Sequence, residues 1–297
     1  MKTIRSGLYI CLASVLWGGI SLLFRPLTNL GFTSLQIVFL RVFIAAIGMA
    51  TYIAFRDPSL FRIRLNDIWL FIGSGIVSLA FFNYCYFQTI NRLSSSIAAS
   101  LLYTAPVFVM VLSIILFQEK ITMRKVFAVI STVSGCVLVT GVLETTTTPD
   151  GIGIFLGICS GIGYALYSIF GTLALRRYST QTITFYTFLF ASVGVLPICK
   201  PDELLSIALT AIPQTLMLAL GIGIGICLLP YWLYTKGLEH TRASNASVIA
   251  TIEPIVATLI GCLVFHDAMS FTKIVGISLI ILSICILNIS SFCRIKK

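Results

Sequence analysis

Charge is scarce in this chain: only 10% of its 297 residues are Asp, Glu, Lys or Arg, and just ten are acidic. With 58% hydrophobic residues and a mean hydropathy of +1.03, there is too little polar surface to solvate a water-soluble particle, so lipid is the solvent for most of the chain. Histidine is rarer still. The two that occur, His240 and His266, stand at the ends of apolar runs, with no H-E-x-x-H motif and no paired carboxylates inside a run. An intramembrane enzyme therefore lacks its metal ligands and its acid–base pair. No G-x-x-x-x-G-K-[ST] motif occurs and no loop is long enough for an ATPase domain, which removes a nucleotide-driven motor. The net charge of +10 is spread thinly, with no basic run longer than Arg176-Arg177, so nucleic acid is not an expected partner. Nine cysteines are scattered singly without a C-x-x-C. They read as small hydrophobes, not as a disulfide framework or metal site, and no cofactor is expected.

What is present is a series of apolar runs, each close to the roughly 20 residues that a helix needs to cross about 30 Å of hydrocarbon. They cover about 7–24, 33–55, 67–90, 95–117, 121–142, 151–175, 181–199, 211–235, 243–265 and 272–292. Continuous apolarity favours helices over the alternating strands of a barrel. The first run follows Lys2 and Arg5 but is too long for a signal-peptide core and precedes no A-x-A site, so it is read as an uncleaved span. Ten spans with a cytoplasmic N-terminus put fifteen basic residues on the cytoplasmic side and leave Arg25, Arg92, Lys200 and Lys273 outside, with Arg41 inside a span. That asymmetry predicts both termini in the cytoplasm.

The chain contains one unit twice. Leu93–Phe117 and Thr241–Phe265 align without a gap: Tyr86, Ser96, Ala98, Pro106, Phe117 and Lys125 fall on Tyr234, Ser244, Ala246, Pro254, Phe265 and Lys273, all at a step of 148 residues. A fixed step of this size reshapes the whole reading. The expected organisation is a five-helix repeat over 1–143, a polar linker over 144–150 (ETTTTPD) and a second repeat over 151–297. Five spans per half make the second half enter the membrane from the opposite side. The fold expected is all-α and polytopic, ten transmembrane helices as two inverted five-helix repeats, which can rock about a site at the midplane.

With this order and repeat, the chain resembles the ten-span drug/metabolite transporter superfamily, specifically its EamA-type members. The resemblance rests on Leu16-Trp17-Gly18, on Leu40-Arg41 with Ala45-Ala46, on Pro106 and the small residues before it, on Glu119-Lys120-Ile121-Thr122, and on Glu253-Pro254. It implies two five-helix halves, a central cavity drawn from both, and transport of small metabolites across a cytoplasmic membrane. One departure is the second-half loop His266-Asp267-Ala268-Met269-Ser270 where the first half has Gln118-Glu119-Lys120-Ile121-Thr122.

Glu253 stands about 10 residues into its span, near the midplane, where a carboxylate costs several kcal/mol unless neutral, paired or wet. Either it contacts substrate or a coupling proton, or it pins helices around the Pro254 kink, where the Ala250 carbonyl loses its partner. Its stripe carries Ala246, Ala250, Ala257 and Gly261, with Ser244, Ser247, Thr251 and Thr258 roughly opposite. Arg41, about 8 residues into its own span, lies at a similar depth. The two could hold the ends of a zwitterion, or Arg41 could be tied to helix-end carbonyls. The resemblance places the spans of Trp17, Tyr84 and Tyr164 at the cavity, making them pathway candidates, and Pro106 and Pro254 are the candidate hinges. Gly153, Gly157 and Gly161 read as a close-packing ladder. The leading function is a secondary transporter of an amino acid or similar solute by alternating access, with or without a proton. A scaffold or an intramembrane enzyme is the alternative.

Overall fold

The computed structural model describes residues 2–144 and 150–293. Most of the expected linker, Thr145–Pro149, lies outside the described residues, as do Arg294, Lys296 and Lys297. Among the described residues, eight helical stretches are long and apolar enough to cross a membrane: α1 (Ile4–Asn29), α2 (Ser34–Arg56), α3 (Leu65–Arg92), α4 (Ser95–Phe117), α6 (Gly151–Ala174), α7 (Thr180–Ile198), α8 (Ile212–Leu238) and α9 (Ala243–Val264). The other two runs become α5 (Met123–Val139) and α10 (Phe271–Cys293). With 17 residues, α5 extends only about 25 Å and carries Arg124 and Lys125 in its first turn. A ten-residue helix, Pro201–Thr210, fills the connection before α8, which the hydropathy pattern alone does not announce.

Helix starts follow local chemistry. Thr33 caps α2 in a reciprocal box with Gln36, and Ser94, Thr122, Asp150 and Ser179 each accept a backbone N–H of the first turn of α4, α5, α6 and α7. These side chains satisfy donors that would otherwise be orphaned at the membrane boundary.

The 148-residue step is visible in the backbone. Over Gly73–Ala80 in α3 and Gly221–Leu228 in α8 the helix widens to π-helical bonding, and the amides of Phe81 and Leu229 reach back five residues to the carbonyls of Ile76 and Ile224. Single-turn π insertions are the usual form; here both copies carry a stretch of 8 residues. α4 breaks at Tyr103–Thr104 and α9 at Thr251, one turn before Pro106 and Pro254. One detail differs from the expected stripes: Thr258, expected roughly opposite Glu253 and Ala257, lines the same cavity as both.

Packing has the same symmetry. α3 packs on α6 as α8 packs on α1, α4 on α6 as α9 on α1, and α3 on α7 as α8 on α2, while α2 with α7, α4 with α9 and α5 with α10 meet their own counterparts. The two repeats are thus interleaved, not side by side. Along the α5–α10 seam Ser131 donates to the Leu279 carbonyl at 2.9 Å, Thr132 donates to Ser283 at 2.7 Å, and Gly135 and Gly276 meet backbone to backbone. The glycine ladder behaves as expected: a Cβ on Gly161 would lie 2.8 Å from the Thr104 hydroxyl and 2.9 Å from the Leu101 carbonyl of α4. Small residues let these backbones approach where lipid gives no hydrophobic drive for helices to associate.

Candidate functional site

Between the repeats lies a cavity of about 470 Å³. Trp17, Arg41, Asn83, Tyr86 and Tyr103 reach it from the first repeat, and Tyr164, Tyr231, Glu253 and Pro254 from the second. Helix proximity at its floor depends on Gly18, whose ideal Cβ would stand 2.8 Å from the Glu253 carbonyl oxygen and 2.6 Å from Val256 Cβ. Only a residue without a side chain lets α1 lie this close to the start of the second segment of α9.

The two charged groups line the same cavity, and each has a neutral partner. One guanidinium nitrogen of Arg41 donates to the Asn83 amide oxygen at 2.9 Å, and Asn83 in turn donates to the Leu79 carbonyl at 2.7 Å. Across the cavity the Tyr164 hydroxyl donates to the Glu253 carboxylate at 3.2 Å, and Tyr103 also interacts with that carboxylate. No ion pair joins Arg41 to Glu253 among the described residues. Arg41 Nε and Trp17 Nε1 are buried donors with no hydrogen-bond partner among the described residues. Orphaned buried donors cost free energy unless something in the cavity accepts from them.

Aromatic rings form a further part of the wall. Trp17 meets Tyr231 edge-on at 4.9 Å between centroids and Tyr234 at 5.4 Å, and Tyr164 meets Phe82 edge-on at 5.5 Å. A mostly apolar pocket with a few convergent polar groups suits a small organic solute.

The cavity extends to one end of the bundle. Ser95, Ser96, Thr140, Asp267 and Lys273, all at helix ends on that side, line it. The opposite end is tied shut. Lys125 donates to Glu119 at 2.6 Å and to Ser244 at 2.9 Å, and the Ser244 hydroxyl also donates to Glu119. Thr180 donates to Glu239 at 2.7 Å, and Arg177 and Tyr178 both bond Asp67. Tyr167 with Thr235 and Ser168 with Tyr234 add hydroxyl pairs, each at 2.7 Å.

Of the residues singled out from sequence, Trp17, Arg41, Tyr164, Glu253 and Pro254 are brought together on the cavity. Tyr84 is not: it is 39% exposed on the outer surface of α3, and Tyr86 is the α3 tyrosine on the cavity wall. Pro106 is buried beside Tyr103 and Tyr164, behind the wall. Sequence reasoning missed Tyr103, whose only signal is its place at the α4 break, equivalent to Thr251, and it left Asp267 in a loop and Lys273 as an outer-side charge at the start of the tenth run.

The EamA-like transporter family model matches this sequence twice, over residues 5–141 and 151–289. The chain belongs to the EamA-like transporter family. An uncharacterized transporter of Archaeoglobus fulgidus is 27% identical over 282 residues, spanning 93% of this chain and 94% of that one. The uncharacterized inner membrane transporter YhbE of Escherichia coli is 22% identical over 276 residues, spanning 90% and 82%. A solved crystal structure superposes with a TM-score of 0.78 at 16% identity, over 98% of this chain and 99% of that one, and shares the fold. As an EamA-like protein with apolar helices of spanning length, the chain is a multi-pass membrane transporter built from two repeats. The family's two matches meet at the cavity, since both contribute to its wall, the first more than the second.

Proposed function

We propose that the chain is a secondary transporter that moves a small zwitterionic solute, an amino acid or similar metabolite, across the cytoplasmic membrane by alternating access. The observation that carries this is the separation of charge in the cavity: Arg41 and Glu253 line one space without pairing with each other. A solute carrying a carboxylate and an ammonium can satisfy both. Its carboxylate also offers acceptors to Arg41 Nε and Trp17 Nε1, which find no partner among the described residues.

In this reading all ten helices cross the membrane, the repeats are inverted, and both termini are cytoplasmic. The division falls at 144–150. The end tied by Lys125, Glu119 and Ser244 then faces the cytoplasm, and the cavity faces outward. Glu253 is the group that would carry a proton if transport is coupled to one. Pro106 and Pro254 follow the two helix breaks, where a bend costs no intact hydrogen-bonded turn.

The test is uptake by proteoliposomes from a mixed pool rich in amino acids, read by mass spectrometry, for wild type and Glu253→Gln, with and without a pH gradient. Solute entry that responds to the gradient and is lost in the variant supports a proton-coupled carrier with Glu253 in its path. Entry that ignores both makes the protein a facilitator with Glu253 as architecture. No entry of any solute refutes the transport reading.

A further inference from the structure

The tie that closes one end of the bundle has a counterpart at the other end, and the counterpart is apart. Glu119, Lys125 and Ser244 correspond through the 148-residue step to Asp267, Lys273 and Ser96. Two members of each set come from one repeat and the serine from the other. In the closed set, Lys125 and Glu119 are about nine-tenths buried and bonded. In the other set, Asp267 is exposed, Lys273 donates to the Ala268 carbonyl at 2.8 Å, and all three residues line the cavity mouth.

The backbone presents the two acids in the same way. Just beyond the ends of α4 and α9 stands a residue with left-handed φ, Gln118 at 51° and His266 at 58°. The next amide then folds back in both: Glu119 N–H donates to the Ser113 carbonyl at 3.3 Å and Asp267 N–H to the Gly261 carbonyl at 3.0 Å. A non-glycine residue in this conformation is uncommon, so its occurrence at equivalent positions points to a shared built turn. The Asp267 side chain is one methylene shorter than Glu119, and its carboxylate lies against Gly261, where an added Cβ would stand 2.8 Å from Oδ2.

We propose that Asp267, Lys273 and Ser96 form the second of two alternating gates: they join when the outer end closes, as the Lys125–Glu119–Ser244 set comes apart. This rests on the transport reading above. Inverted repeats reach their opposite-facing state by exchanging conformations, and each gate bridges the repeats through its serine, so the relative motion that closes one set separates the other.

The experiment needs no solute. In a cysteine-free background of the full chain, Thr258→Cys on the cavity wall is labelled from outside by a membrane-impermeant thiol reagent. Lys125→Met removes the inner gate and should slow labelling at least about tenfold by shifting the population inward. Lys273→Met should label as fast as the parent or faster, and the double variant should recover most of the parent rate. Slower labelling in Lys273→Met, or a double variant as slow as Lys125→Met alone, overturns the proposal. If the cysteine-free chain does not insert, hydrogen exchange of α4 and α9 amides in the otherwise native protein reads the same shifts. Parallel solute flux separates the two claims: expected labelling with no flux of any solute defeats transport and leaves the gates, while flux with indifferent labelling defeats the gates alone.

Discussion

Gly18→Ala is a one-carbon change with a calculable effect on the site. The added Cβ would stand 2.6 Å from Val256 Cβ and 2.8 Å from the Glu253 carbonyl oxygen, whereas ordinary contact begins at 3.4 Å. Neither neighbour is the tip of a flexible chain, so α1 and the start of the second segment of α9 must separate by about 0.8 Å. Overpacking of this kind costs about 1–3 kcal/mol, against which alanine regains about 1 kcal/mol of helix propensity. Stability should therefore fall by at most about 2 kcal/mol. Function should suffer more, because Glu253 rides on the displaced turn and a misplacement of about 1 Å can cost on the order of 100-fold. The assay pairs thermal unfolding in detergent with solute flux in proteoliposomes. Gly7→Ala is the control, since its Cβ would meet nothing within 4 Å on the same helix. Flux in Gly18→Ala equal to that in Gly7→Ala would refute the claim that the α1–α9 approach sets the site.

Tyr164→Phe removes the hydroxyl that donates to Glu253 at 3.2 Å; a hydrogen bond of this kind is worth about 1.5 kcal/mol, so kcat/KM should fall about tenfold, with protein yield unchanged and the unfolding temperature lowered by no more than about 5 °C. Arg41→Lys keeps the charge but loses the planar fork that holds Asn83 at 2.9 Å, and should raise KM about tenfold in the same flux assay. Tyr84→Ala alters a residue on the outer surface of α3 and should leave flux within about twofold of wild type, since it removes neither a buried contact nor a cavity group. On the α5–α10 seam, a double-mutant cycle of Thr132→Val and Ser283→Ala should return a coupling of about 0.6–1.7 kcal/mol in unfolding measurements, for a bond of 2.7 Å.

Much of the architecture was legible because lipid imposes a strict code. Long apolar runs mark the helices, and the alignment of Tyr86 and Pro106 with Tyr234 and Pro254 exposed the repeat that the backbone carries through its π stretches and breaks. Depth counting also placed Arg41 and Glu253 at one level, and the fold puts both on one cavity. Azimuth was harder. Tyr84 and Tyr86 are two residues apart on a helix whose turn size changes over Gly73–Ala80, so a periodicity of 3.6 carried across that stretch cannot say which tyrosine faces inward. Length was the other gap: α5 is shorter than its apolar run because Thr122 caps it and its first turn spends Lys125 on a polar tie. The partnership of Glu119 with Ser244, 125 positions apart, leaves no trace in local pattern.

The widened stretches have a consequence for how these two helices tolerate change. Wherever a turn holds more residues than usual, everything after it is aimed by a residue count, not by the axis alone. Deleting Ile76 would leave α3 long enough to span, yet it would rotate the segment beyond by about 100°, carrying Asn83 away from Arg41 and turning Tyr86 toward lipid. Deleting Ile224 would do the same to Tyr231 and Tyr234 in α8. In these two helices the length of one eight-residue segment works as an angular setting, and both repeats are set alike.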